Sequence, residues 1–143
     1  MKRIICLGSY QGADRVGWLM ADALAGLATG EPAQAPALDI RRCASPAQMP
    51  SLFSGANAVM LIDAVPQLAV GSVQRLQIDD LARDDAWSTH GLDPAGLLEL
   101  IRALGDMPAR FVILGIGVGT CDVDPGAIVT QALPEVLTAI HAL

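Results

Sequence analysis

Three short stretches constrain this chain more than any other feature: positions 3–7, 58–62 and 110–114, continuous apolar runs apart from the arginine that opens the first and the third. Each is the length of one strand and lacks polar alternation, so neither of its faces is suited to water. Strands of that kind belong to parallel sheets with helices on both faces. The segments between them carry helical spacing. Val16, Leu19, Met20, Ala23, Leu24 and Leu27 line one face of a helix expected over residues 14–27. Asp93-Pro94 supplies an N-cap followed by proline at the first helical position, Leu97, Leu98, Ile101 and Leu104 continue that helix, and Gly105 stops it. Ile128, Val129, Ala132, Leu133, Val136, Leu137 and Ile140 define a closing helix, which Pro134 is expected to kink.

Weaker signals fill the gaps. Residues 37–41 read as a strand, and residues 46–53 as a short helix or turn. Residues 71–78 alternate imperfectly and read as an edge strand. The loop before them is too short for a crossover helix, which favours an antiparallel run. Residues 79–89 read as an acidic surface loop and 115–125 as a glycine-rich one. The expected fold is α/β: a three-layer sandwich with a mostly parallel, five-stranded sheet. The three apolar strands should be central, with those near Ala37 and Gly71 outside them. A length of 143 residues is one domain's worth, so residues 1–143 are expected to share one core.

Composition removes several classes of function. Nine basic against 15 acidic side chains leave a net charge of −6, a poor match for a phosphate backbone, and the 3% aromatic content is thin for base stacking. Nucleic acid is therefore not an expected partner. The mean hydropathy of +0.45 raises the question of a membrane. No stretch reaches the roughly 18 apolar residues of a spanning helix, so none is expected. The basic start at Lys2-Arg3 precedes an apolar run too short for a signal peptide. Cys6, Cys43 and Cys121 are odd in number and scattered, which fits free thiols and a cytoplasmic location.

In such a fold, chemistry is expected at the carboxyl ends of the strands. Asp14 follows the first strand, Asp63 follows the apolar run 58–62, and His90 precedes the helix that Asp93 opens. Two carboxylates and an imidazole on one edge would make a mixed oxygen and nitrogen site for a divalent ion. Each also has a plain structural use. Asp14 would suit a helix N-terminus through the macrodipole, Asp63 could bond to a loop backbone, and His90 could be a solvated loop histidine. His141 on the closing helix is given no role, and two histidines are too few for a multi-histidine zinc centre. No nucleotide is expected. Gly8-Ser9-Tyr10-Gln11-Gly12-Ala13 breaks the dinucleotide fingerprint at Tyr10, and no phosphate-cradling loop with its lysine is present. Gly115, Gly117 and Gly119 fit close backbone packing better than phosphate binding, with Asp122 and Asp124 nearby. A serine nucleophile elbow is absent, and neither Cys6 in a strand nor Cys121 in an acidic loop suits a nucleophile.

Order and context over nearly the whole chain resemble the hydrogenase maturation endopeptidases. These trim the C-terminal extension from the large subunit of nickel–iron hydrogenases. The resemblance is carried by Leu7-Gly8 at the end of the first strand, Asp14-Arg15-Val16-Gly17, Leu61-Ile62-Asp63-Ala64, Ser88-Thr89-His90-Gly91-Leu92, and Pro134 in the last helix. It implies an endopeptidase whose metal set is Asp14, Asp63 and His90, with Asp14 and Asp63 the carboxylates available for catalysis. The nickel would be supplied by the substrate precursor, and the partner would be that hydrogenase large-subunit precursor. The turn at residues 8–13 is shorter than the family's and lacks its asparagine, and Arg41-Arg42-Cys43-Ala44-Ser45-Pro46 replaces the family's glycine-rich loop. Two other readings stay open: a non-catalytic module that holds a metalloenzyme precursor, and a binder of nucleotides or small acids.

Overall fold

The computed structural model describes residues 2–10, 12–29, 38–77, 102–103, 105 and 107–143. Five strands form one sheet: β1 (Lys2–Leu7), β2 (Leu38–Cys43), β3 (Ala58–Val65), β4 (Val73–Leu76) and β5 (Arg110–Gly117). Their spatial order is β2-β1-β3-β5-β4. All pairings are parallel except β4 with β5, which is antiparallel. The three apolar strands are the centre, as expected, and the two weaker ones are the edges.

Alternation along the strands sends successive side chains to opposite faces. Ile4, Cys6, Met60, Ile62 and Leu114 pack against helices α1 (Arg15–Thr29) and α3 (Pro125–Ala142). Ile5, Leu7, Val59, Leu61 and Ile113 pack against the short helix α2 (Met49–Phe53), chiefly through Met49 and Phe53. Burying one such side chain contributes roughly 1.5–3 kcal/mol, which is why a strand apolar on both sides needs a layer on each. Arg3 ties α2 to the sheet. It donates to the carbonyls of Leu52 (2.6 Å) and Ser54 (2.7 Å) while pairing with Asp39 at 2.8 Å. Asp124 caps α3 by accepting from the Gly126 amide at 3.0 Å, and the helix continues past the exposed Pro134 to Ala142.

Several boundaries differ from the sequence reading. Strand β3 runs on to Val65, so Asp63 lies within it rather than at its end. Strand β5 runs on to Gly117, taking in part of the expected loop. The reason is the same in both. Backbone pairing continues through Val65↔Gly117, whereas the apolar pattern stops at the charged Asp63 in one strand and at Gly115 in the other. A side chain at Gly115 would press on Val65, Leu68 and Leu76, and one at Gly117 would overlap the Ala69 carbonyl, so these glycines serve close packing. Strand β2 runs two residues past the expected 37–41, taking in Arg42 and Cys43, and β4 is shorter than the run 71–78. Helix α1 starts at Arg15, with Asp14 ending a 3-10 turn before it. Among the described residues, no helix is long and apolar enough to cross a membrane.

Candidate active site

From β1 the chain moves to β2 on one side of the sheet, while β3 lies on the other. The crevice where strand order reverses, at the carboxyl ends of β1 and β3, is where open α/β sheets bind ligands. The ladder between β1 and β3 ends at Cys6↔Ile62, so Asp63 is the first residue of β3 beyond it. On its other side Asp63 is still held by β5, opposite Gly115. The sheet therefore fixes its backbone while leaving its β1 flank at the crevice.

Asp14 comes to the same place from the loop after β1. Its 3-10 turn, Gly12–Asp14, packs against β3. Gly12 opens the turn with φ of +55°, a left-handed conformation that costs glycine nothing. The Asp14 carbonyl accepts from the Ser9 amide at 3.2 Å, closing the loop. Gly8 makes this closure possible, because a side chain there would collide with the Asp14 carbonyl and with Trp18.

Asp63 feels the charge of Asp14. Asp63 keeps a little exposed surface but sits deep among protein atoms. Burial raises its pKa well above the ordinary carboxylate value, and the negative charge of Asp14 pushes it further the same way. The Ala64 amide, donating to Asp63 Oδ1 at 2.7 Å, opposes both. A buried carboxylate of this kind is relieved by a proton or by a cation, so Asp63 is an oxygen donor suited to positive charge. Among the described residues, no three His, Cys, Asp or Glu side chains gather to hold an ion. His90 and the helix expected from Asp93 lie outside the described residues.

Cysteine chemistry finds no support in the strands. Burial pushes the Cys6 thiol up to about 12 despite the nearby Arg42 charge, and it also raises Cys43, whose thiol donates to the Ser45 carbonyl at 3.0 Å. A hollow of about 250 Å³ opens beside the Asp14 turn, lined by Gly12, Ala13, Arg15, Cys121 and Asp122. His141 is exposed on the last turn of α3, its Nδ1 2.8 Å from the Leu137 carbonyl oxygen.

One group escaped the sequence reading. Arg42, on β2, lies over the Trp18 ring at 5.3 Å from its centroid, and the Tyr10 ring meets Trp18 edge-on at 4.6 Å. Arg42 also donates to the Tyr10 hydroxyl at 3.4 Å and pairs with Asp22. These residues come from β2, α1 and the loop after β1, so no local spacing announces them.

Comparison with known proteins bears on the same region. Residues 43–143 match the HycI family of hydrogenase maturation proteases. No curated protein matches the sequence. Among solved structures, the chain is similar to the hydrogenase maturating endopeptidase HybD from E. coli. Identity is 18%, the TM-score is 0.72, and 99% of this chain and 92% of that one are covered. It is also similar to the [NiFe] hydrogenase maturation protease HycI from Thermococcus kodakarensis, with 21% identity, a TM-score of 0.64, and coverage of 97% and 90%. A peptidyl-tRNA hydrolase from Acinetobacter baumannii shares the fold more distantly, at 12% identity and a TM-score of 0.58, with coverage of 100% and 88%.

Proposed function

The chain belongs to the hydrogenase maturation protease family, a family of peptidases, and from that premise we propose its substrate and the residues that act on it. The substrate is the large-subunit precursor of a nickel–iron hydrogenase, and the reaction removes its C-terminal extension after nickel has been inserted. Asp14, Asp63 and His90 recognise that nickel, which arrives with the substrate. The observation that supports this most is the nearness of Asp14 to Asp63 at the crevice, where burial and the Asp14 charge both make Asp63 receptive to positive charge. A divalent ion presented by the precursor would take the place of the proton and turn both carboxylates into ligands.

Recognition of the ion would bring the extension to the carboxyl edge, where the hollow beside Gly12 and Arg15 has room for a stretch of polypeptide. A metal-polarised carbonyl and a carboxylate base are the chemical means available there for attack by water. The test is direct. The purified protein is incubated with nickel-loaded precursor, and the large subunit is weighed by mass spectrometry. A shortened subunit with the wild type, and an intact one with Asp63→Asn, is the expected result. Nickel-dependent binding without shortening would instead identify a holding module.

A further inference from the structure

We propose that Arg42 is a positioning residue for the candidate site, acting through Trp18 and Tyr10 to fix the loop that carries Asp14. The proposal rests on the reading of Asp14 and Asp63 as the nickel-recognising pair. Asp63 is held by a central strand, but Asp14 depends on the segment between Leu7 and α1 for its place. That segment is pinned at its Asp14 end by the Ser9 amide bond to the Asp14 carbonyl. Its middle, at Tyr10, projects from the molecule with 74% of its surface exposed, so apolar burial does little to order it.

A stack of side chains holds Tyr10 from beside it. Tyr10 meets the Trp18 ring edge-on, and Arg42 lies over that same ring while donating to the Tyr10 hydroxyl. Asp22, one turn further along α1, pairs with the Arg42 guanidinium and keeps it in register. Arg42 is itself set by β2, paired with Cys6 across the ladder. The guanidinium thus links a strand, a helix and the loop at one point, and its planar fork suits this because it can stack and donate at once. Trp18 contributes its ring, since its buried Nε1 has no partner among the described residues. Lysine at position 42 would keep the charge but lose both the plane and the fork.

The experiment compares Arg42→Met, Arg42→Lys and Tyr10→Ala with wild type and with Asp63→Asn. Positions 42 and 10 are exposed, so the folded core is untouched. Three quantities are read: thermal midpoint, calorimetric affinity for nickel(II) alone, and KM and kcat for nickel-loaded precursor. The expected result is an unchanged midpoint, nickel affinity weakened about tenfold and KM raised by a similar factor, as for residues that orient metal ligands, with kcat retained. Arg42→Lys should not rescue. Wild-type affinity and KM in the Arg42 and Tyr10 variants, with Asp63→Asn inactive, would overturn the positioning role alone. A lowered midpoint with wild-type affinity and KM would also overturn it, by showing a purely structural contact. Full nickel binding and processing by Asp63→Asn would overturn the site reading beneath it.

Discussion

The carbonyl of Leu7, at the end of β1, lies so close to the Cα of Gly17 in the first turns of α1 that a Cβ at position 17 would overlap it. This contact sets how near the helix comes to the sheet, and so where the Asp14 turn lies relative to Asp63. Gly17→Ala should force the two apart and cost about 1–3 kcal/mol, as overpacking does. Gly26→Ala, in the same helix with nothing within 4 Å of an added Cβ, should instead stabilise by about 0.5–1 kcal/mol. Urea unfolding of both variants checks the pair, and processing should fail only in the first.

Asp63→Asn should be more stable than wild type at neutral pH. The folded protein holds the Asp63 proton more tightly than the unfolded chain, so between the ordinary value of 3.8 and the raised folded value the folded state binds more protons. Stability contributed by this group is therefore full below 3.8 and is lost as pH rises through the folded pKa. Asparagine removes that loss. A higher melting midpoint than wild type at pH 7 is expected. The gain should vanish as pH falls toward 3.8, which a series of melts across that range would show.

The same substitution should lower processing of nickel-loaded precursor by more than the roughly 10–100-fold typical of losing an outer-shell partner, because an amide is a poorer ligand than a carboxylate. Asp14→Asn and His90→Ala should act in the same direction. His141→Ala should leave processing unchanged. Among the described residues its ring bonds to the Leu137 carbonyl at the end of α3, and that helix starts at the carboxyl edge and runs back away from it. Mass analysis of the large subunit over time, with each variant at equal concentration, decides all four.

Amide exchange should be slowest at Val59, Met60, Leu61 and Ile62 of β3, which have strands on both sides and no exposed surface. Val73, Gln74, Arg75 and Leu76 of β4, paired on one side only, should exchange well before them. Peptide-resolved deuterium uptake gives the order directly.

The sequence by itself determined the class of fold and which strands are central. A strand apolar on every residue, such as Val59-Met60-Leu61-Ile62, has no solvated face to offer, so it must lie inside a sheet covered on both sides. It also marked Asp14 and Asp63 as candidates, because each follows a central apolar run in the chain and chemistry in such folds gathers at the strands' carboxyl ends. The tertiary structure decided what a one-dimensional pattern cannot carry. Strand length came from backbone pairing, which runs through Asp63 and Gly115 regardless of their side chains. The raised pKa of Asp63 came from burial and from Asp14, which lies 49 positions away in the chain. The grouping of Tyr10, Trp18, Asp22 and Arg42 came from the parallel pairing of β1 with β2, which brings Arg42 beside Cys6 and over α1. Local spacing records only which face of its own element a residue occupies, and these contacts join faces of different elements.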